Sequence, residues 1–246
     1  MQSDPRHLPI EPERVPPAFN TPAIVVVLLA VMAATHGVFS FGGDALQRDM
    51  LQWLSFVPGF ITLAPDQTVL GVRPWWSFVS YAFLHGDWLH LGVNAVWLLA
   101  MGTPVARRFG VGRFIAFFAA GSVAGALAQY SADTGSLVPM VGASGGVSAL
   151  FGGAVRFALA GGLRGPAVHL RPRLSLAAAF TDRTVLSFIV IWSVLNFAFG
   201  SGIIPIPGAE GEIAWQAHAG GFAFGLLAFG LFDPLPARSV GSQEPL

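Results

Sequence analysis

The chain has 246 residues, of which 54% are hydrophobic and 11% charged, with a formal net charge of zero and no cysteine. Soluble domains carry about 25% charged residues, so most of this chain cannot face water. The neutral charge gives a nucleic-acid partner no electrostatic support, and the lack of cysteine excludes disulfides and thiolate metal sites.

The first segment, residues 1–21, is polar and rich in proline, which predicts a disordered N-terminal tail. It is too acidic and too long for the n-region of a secretory signal, and no convincing cleavage site follows it. We therefore expect the apolar block after it to be a true membrane span.

Six apolar blocks follow, and a helix needs about 20 residues to cross a bilayer. The blocks cover residues 23–41, 88–106, 114–130, 145–162, 185–200 and 213–232. Helices suit these blocks because lipid offers the backbone no hydrogen-bond partner, and barrel strands would be shorter and alternate in polarity. The prediction is an all-α, polytopic six-helix membrane bundle over residues 22–233, with a C-terminal tail over residues 234–246.

The arginines indicate how the bundle is oriented. In the six-span arrangement, all of them except Arg48 and Arg73 fall on one side of the membrane. Cytoplasmic loops carry the excess of basic residues, so both termini are predicted to be cytoplasmic. The lack of lysine and cysteine, with abundant Ala, Arg and Gly, favours a bacterial inner (plasma) membrane.

Two outer loops have informative compositions. The first, residues 42–87, is dense in aromatic residues such as Trp53, Trp75 and Trp76, which is typical of the membrane interface. The last, residues 201–212, is rich in Gly and Pro, which predicts a mobile flap.

Few polar residues lie inside the spans, and each is a functional hypothesis because polar groups are costly in hydrocarbon. The second span holds His90 and Asn94, whose i, i+4 spacing puts both on one helix face. The fourth opens with Gly-Ala-Ser-Gly-Gly around Ser144, and the sixth holds Gln216 and His218. All of these residues fall in the outer half of the predicted membrane.

Together these groups supply what nucleophilic acyl transfer needs. A serine such as Ser144 requires a base within hydrogen-bond reach, and His218 is of the right type. The tetrahedral intermediate requires donors, which a helix start provides through its free N–H groups. His90 and Asn94 are candidates for additional side-chain donors.

Small residues near the site predict close helix packing. Ala217, Gly221 and Gly225 recur every four residues in the sixth span, and Gly142 and Gly145 flank the serine. Such residues let helices approach closely. A close contact between the fourth and sixth spans is what a Ser144–His218 hydrogen bond of about 3 Å would require.

Other interpretations of single motifs stay open at this point. The Gly-x-Ser-x-Gly pattern alone also fits plain helix packing, and an intramembrane histidine such as His218 also fits a structural hydrogen-bond donor. The nucleophile elbow of soluble α/β hydrolases needs a strand and a parallel sheet, which this chain lacks. His85 is expected to be structural, and Trp192 and Asn196 are expected to be packing or gate residues.

Three motifs, in order along the chain, resemble those of the rhomboid family of intramembrane serine proteases. Residues 90–94 (His-Leu-Gly-Val-Asn) are similar to the family's His-x-x-x-Asn, and residues 142–145 (Gly-Ala-Ser-Gly) to its Gly-x-Ser-Gly. Residues 217–225 are similar to its Ala-His-x-x-Gly-x-x-x-Gly. The resemblance covers roughly residues 73–233.

The resemblance implies a Ser144–His218 dyad with no acidic third member. It implies an oxyanion hole made by the serine backbone N–H together with His90 and Asn94. It also implies cleavage of single-span membrane proteins near their outer ends, usually after a small residue, where the substrate helix unwinds easily. The fifth span and the 201–212 loop would then be the gate and the cap.

Three positions depart from the family's pattern. The loop motif Trp-Arg is Trp75-Trp76 here, and the glutamate often found after the second span is Ala106. The aromatic residue often found four residues after the serine is Ser148. The first two departures bear on how the first loop is anchored, and the third bears on the resting position of His218.

The sequence thus favours an intramembrane serine endopeptidase that needs no cofactor or metal and acts on single-pass membrane proteins. The alternative is a catalytically silent relative that binds membrane clients. A transporter would carry mid-membrane charges or inverted repeats, which are absent, and a zinc protease would carry His-Glu-x-x-His. The physiological substrate and the oligomeric state do not follow from the sequence.

Overall fold

The computed structural model of the protein describes residues 21–159, 168–205 and 213–235. Within these residues every regular element is a helix, and an isolated β-bridge links Phe56 to Met140. The predicted all-α fold is confirmed. Most of the predicted N- and C-terminal tails and most of the predicted 201–212 cap lie outside the described residues.

The helices follow one another in the order expected from the apolar blocks. The described residues form α1 (Ala23–Phe41), α2 (Gly43–Leu54), α3 (Pro58–Thr62), α4 (Ser77–Ser80), α5 (Trp88–Trp97), α6 (Thr103–Ala132), α7 (Ser144–Val155), α8 (Leu176–Thr181), α9 (Arg183–Gly200) and α10 (Trp215–Phe232). A π-helical segment, Leu98–Gly102, joins α5 to α6. Short 3₁₀ turns lie at Pro65–Gln67, Tyr81–Phe83 and Val168–Leu170.

Three described segments are long and apolar enough to cross a membrane, namely Ala23–Phe41, Trp88–Ala132 and Arg183–Gly200. The middle segment contains the second and third predicted spans. Gly110 separates these two spans, because its backbone (φ 71°, ψ 176°) is not helical. Glycine reaches this positive φ without the cost that a side chain would impose. That the chain crosses the membrane six times stays a prediction.

The fourth span is shorter than predicted, because α7 has 12 residues and ends at Val155 rather than near residue 162. The chain leaves the helix at Arg156, which is buried. Its guanidinium donates to the carbonyl oxygens of Leu174 (2.7 Å) and Leu226 (2.6 Å). A buried charge needs such acceptors, so α7 ends where Arg156 ties it to α10 and to the segment before α8.

α7 is the central helix, and every residue from Gly145 to Val155 is buried. It packs between α6 and α10. A Cβ built on Gly221 would overlap the carbonyl oxygen of Gly145, so the backbones of α7 and α10 are in direct contact there. Helices in membranes approach this closely only where side chains are small.

An ionic cluster closes the end of the bundle opposite Ser144. Nε and Nη2 of Arg108 each donate to one carboxylate oxygen of Asp233 over 2.8 Å, and Arg173 adds a third hydrogen bond of 3.0 Å. Burial alone would raise the pKa of Asp233, but the hydrogen bonds from Arg108, the Leu235 backbone and Arg173 outweigh it and lower that pKa. The cluster ties the start of α6 to the end of α10.

The first outer loop is anchored to the segment that precedes Ser144. The bridge between Phe56 and Met140 has two backbone hydrogen bonds, of 3.0 and 2.8 Å. The indole N–H of Trp76 donates to the Trp53 carbonyl oxygen over 2.6 Å, and the two rings stack with centroids 5.7 Å apart. These contacts hold the loop against the outer end of the bundle.

Candidate active site

Ser144 is the first residue of α7 and follows a turn in which Gly142 has a φ of 118°. The Gly142 N–H donates to the Tyr81 carbonyl oxygen over 3.0 Å, which ties the turn to the segment before α5. A Cβ on Gly142 would lie 2.6 Å from Nε2 of His90, so both backbone conformation and space require glycine here. Ser144 is half-buried, and its hydroxyl has no hydrogen-bond partner among the described residues.

The start of α7 supplies backbone donors next to the serine hydroxyl. The first α-helical bond of the turn runs from the Val147 N–H to the Ala143 carbonyl oxygen over 2.9 Å. The N–H groups of Ser144, Gly145 and Gly146 precede that bond and therefore lack an acceptor within the helix. Free N–H groups at the positive end of a helix stabilise an anion. The Ser144 backbone is thus suited to hold an oxyanion.

His90 presents a second donor to the same place. The backbone N–H of Gly86 donates to Nδ1 of His90 over 3.4 Å, so Nδ1 is the acceptor and the neutral ring carries its proton on Nε2. The position that a Gly142 Cβ would occupy is 2.6 Å from this Nε2 and 3.7 Å from the Ser144 hydroxyl oxygen. Asp87 caps α5 by accepting from the His90 N–H over 2.7 Å, which fixes the helix start.

Asn94 lies one turn further along α5 and is buried. Its side-chain Nδ2 donates to the His90 carbonyl oxygen over 2.9 Å. An amide nitrogen has two hydrogens, so one remains for another acceptor. All three residues are described, and Asn94 forms no hydrogen bond with Ser144 or with His218.

His218 lies in the first turn of α10, half-buried, at the same end of the bundle as Ser144. Its Nδ1 is 2.7 Å from the Oδ1 of Asn196 on α9. No hydrogen bond links His218 to Ser144 among the described residues, so the bond predicted for the dyad stays a prediction. The starts of α7 and α10 thus lie at the same end of the bundle, and the side chains of Ser144 and His218 are not hydrogen-bonded to each other.

The predicted packing residues lie where the sixth helix meets its neighbours. Gly221 faces the Gly145 backbone, as described above, and a Cβ on Gly225 would overlap the Ala149 carbonyl oxygen. Ala217 is buried, and its carbonyl oxygen lies 2.9 Å from where a Gly125 Cβ would be. These contacts set the distance between the helices that carry the serine and the histidine.

Two contributors were missed by the sequence interpretation. Tyr81 is buried, its hydroxyl donates to the Ser122 carbonyl oxygen over 2.9 Å, and the same hydroxyl fills the space beside Gly145. Asn196 was assigned to packing or gating, and it bonds the histidine ring. The only signal for Asn196 was an amide inside an apolar helix, which is a functional hypothesis by default.

His85, expected to be structural, is buried beside His90, with ring centroids 5.2 Å apart in a T-shaped contact. Burial, together with the neighbouring rings of His90 and His36, lowers the pKa of His85 to about 3. A ring with that pKa is neutral at pH 7. His85 therefore packs against His90 without adding a charge to the site.

The departures from the family's pattern have local explanations. Nε of Arg73 donates to the Ile61 carbonyl oxygen over 3.2 Å and Trp76 bonds the Trp53 backbone, so the first loop is anchored without a Trp-Arg pair. Ala106 is buried in the core. Ser148 is also buried, and no described aromatic ring packs on His218.

The fold and the site define a polytopic helical membrane protein with Ser144, His90 and His218 at one end of the bundle. A model of the Rhomboid domain matches residues 72–233. The match covers more than half of the chain, and the chain belongs to the rhomboid family.

Similar curated proteins come from bacteria and animals. Rhomboid-related protein 2 of Mus musculus is 28% identical over 226 residues, which are 89% of this chain and 66% of that protein. Rhomboid protease GluP of Bacillus subtilis is 26% identical over 180 residues, 73% of this chain and 30% of that protein. Rhomboid protease GlpG of Serratia proteamaculans is 32% identical over 152 residues, 62% of this chain and 46% of that protein. The chain spans about a third to two thirds of the length of these relatives.

Proposed function

We propose that this chain is an intramembrane serine endopeptidase that cleaves single-span membrane proteins near the outer membrane face. The observation that carries the proposal is the turn at Gly142. It places the Ser144 hydroxyl and the Nε2 donor of His90 around one point, at the free N–H groups that start α7. Nucleophile and oxyanion donors are thereby adjacent.

In the proposed reaction, Nε2 of His218 takes the proton of the Ser144 hydroxyl as the oxygen attacks the peptide carbonyl. A C–O bond forms, and the negative charge moves to the carbonyl oxygen. His218 then gives its proton to the leaving amine as the C–N bond breaks. A water molecule entering from the outer face then gives a proton to His218 and attacks the carbonyl of the acyl-enzyme. The ester bond to Ser144 breaks, His218 returns the proton to the serine oxygen, and the new carboxylate is released.

The oxyanion is proposed to accept from the Ser144 N–H, from Nε2 of His90 and from the free amide hydrogen of Asn94. Each donor is fixed before the reaction, because His90 is held by Gly86 and Asn94 by its own helix. Fixed donors in a water-poor site need no reorganisation as charge develops, which is why they lower the barrier.

We further propose that residues 22–233 form one membrane unit with both termini in the cytoplasm of a bacterial cell. The arginines at the end of the bundle opposite Ser144 support this orientation, since Arg108, Arg156 and Arg173 cluster there. The site then opens towards the outer face. Resemblance to the family favours cleavage after a small residue, with α9 as the gate.

The test is cleavage of a single-span reporter protein by the purified chain in detergent. Wild type should cleave within or beside the reporter's membrane span, and Ser144→Ala and His218→Ala should reduce the rate to background. Gly92→Ala, a change on the exposed face of α5, is the matched control and should retain activity. Cleavage that survives Ser144→Ala contradicts the assigned nucleophile.

The second candidate function is binding of membrane clients without cleavage. The observation that favours it is the missing hydrogen bond between Ser144 and His218. A folded wild type that captures a single-span protein in detergent and leaves it intact would support this candidate over the protease.

A further inference from the structure

Asn196 lies near the C-terminal end of α9, between the apolar residues Leu195 and Phe197. It is half-buried and makes two hydrogen bonds to the start of α10. Its Oδ1 lies 2.7 Å from Nδ1 of His218, and its Nδ2 donates to the Trp215 carbonyl oxygen over 3.1 Å. An amide exposed to lipid is costly, so the two bonds satisfy it and also link α9 to the histidine ring.

The second of these bonds determines the first. A carbonyl oxygen such as that of Trp215 can only accept, so the nitrogen of the Asn196 amide faces Trp215 and its oxygen faces the ring. An amide oxygen can also only accept, so Nδ1 of His218 carries the proton. The neutral ring then has its lone pair on Nε2, which is the nitrogen that a general base uses here.

We infer that Asn196 is a positioning residue for the proposed base, holding His218 in the tautomer with a free Nε2. The inference rests on the proposed function and adds a third member to the Ser144–His218 pair, contributed by a different helix. No described ring packs on His218, and among the described residues Asn196 is the one side chain that hydrogen-bonds its ring. In serine proteases of other folds, loss of the residue that sets the tautomer is severe.

The location of Asn196 on α9 connects the base to the position of that helix. Only Val185 among the residues of α9 is fully buried, so the helix is held mainly by edge contacts. Trp192 stacks on Phe222 of α10 with ring centroids 4.3 Å apart. Outward movement of α9 would break the bond to His218, and the base is therefore set only while α9 lies against α10.

The experiment compares Asn196→Leu, which has a similar size and no acceptor, with Asn196→Asp, which keeps an oxygen acceptor. Val194→Ala is the matched control, because it removes bulk at an exposed position two residues away on the same helix. Each protein is assayed for cleavage of the single-span reporter and for reaction with a small fluorophosphonate, which reaches Ser144 without passing between helices. Melting temperatures in detergent report folding.

We expect Asn196→Leu to lower kcat and the fluorophosphonate rate about 100-fold with little change in KM. Asn196→Asp should recover both to within about fivefold of wild type. Val194→Ala should leave kcat and the fluorophosphonate rate within about twofold of wild type. An Asn196→Leu protein that melts like wild type and keeps its fluorophosphonate rate overturns the inference.

A spectroscopic readout separates this inference from the proposed function. In protein labelled with ¹⁵N-histidine, the His218 signals are assigned by their loss in His218→Ala. We expect wild type to show a protonated Nδ1 and an unprotonated Nε2, and Asn196→Leu to lose this preference. A wild type with the proton on Nε2 overturns the role of Asn196 whether or not the protein cleaves. An inactive wild type with the expected tautomer leaves the role of Asn196 standing and refutes the protease function.

Discussion

Gly225 faces the Ala149 backbone where α10 crosses α7. A Cβ built on Gly225 would overlap the Ala149 carbonyl oxygen and would lie 2.7 Å from the carbonyl carbon and 2.8 Å from the Cα. Unstrained carbon–carbon contacts are about 3.5–4.0 Å long, so Gly225→Ala must separate the two backbones by about 1 Å. Backbone atoms cannot move aside by changing a rotamer, so the whole crossing has to shift.

The size of the effect follows from two opposing contributions. Overpacking a close-packed interior costs about 1–3 kcal/mol, and a clash with backbone lies near the upper end, about 3 kcal/mol. Replacing a helical glycine by alanine returns about 1 kcal/mol of helix propensity. We therefore expect Gly225→Ala to lower the free energy of unfolding by about 2 kcal/mol.

Gly92→Ala is the matched control, because a Cβ there meets no atom within 4 Å. That change should raise the free energy of unfolding by up to about 1 kcal/mol. The measurement is reversible unfolding in mixed micelles as the fraction of denaturing detergent rises. Equal midpoints for the Gly225→Ala and Gly92→Ala proteins would refute the close crossing of α7 and α10.

Three further predictions concern the ionic cluster, the Tyr81 hydroxyl and the oxyanion hole. Asp233→Asn should cost about 3–5 kcal/mol in unfolding experiments at pH 7, since it breaks a buried ion pair with Arg108. Because the folded pKa of Asp233 is lowered, this contribution is complete above the ordinary carboxyl pKa and should fade below about pH 4; a difference that stays constant with pH contradicts it. Tyr81→Phe should cost about 1–2 kcal/mol in the same experiment by removing the donor to Ser122, and unchanged stability would contradict that. Asn94→Ala should lower kcat for the reporter about 10²- to 10³-fold with little change in KM, and an effect confined to KM would exclude Asn94 from the oxyanion hole.

The helical fold and the order of the site elements could be predicted because they depend on local patterns. Apolar blocks predict membrane helices, and a Gly-x-Ser-Gly sequence at the edge of such a block predicts a serine at a helix start. Ser144 lies there. The glycines of the sixth block likewise face a neighbouring backbone, as at Gly221.

What could not be predicted depends on contacts between distant segments. Arg108 and Asp233 are 125 residues apart, and nothing local pairs them. The bond from Asn196 to His218 needs α9 and α10 to lie side by side with a specific rotation. The early end of α7 was missed because apolar residues resume after Arg156 and stay buried through Leu159, and hydrophobicity does not distinguish a buried helix from a buried turn.

The assignment of Ser144 as nucleophile is tested by the mass of the purified protein after reaction with a fluorophosphonate. We expect folded wild type to form one covalent adduct, on the peptide that contains Ser144. The adduct should be absent from Ser144→Ala and should form far more slowly in His218→Ala, because the serine then lacks its base. An adduct on another residue, a rate unaffected by His218→Ala, or no adduct on folded wild type would contradict the assignment of Ser144 as nucleophile and His218 as its base.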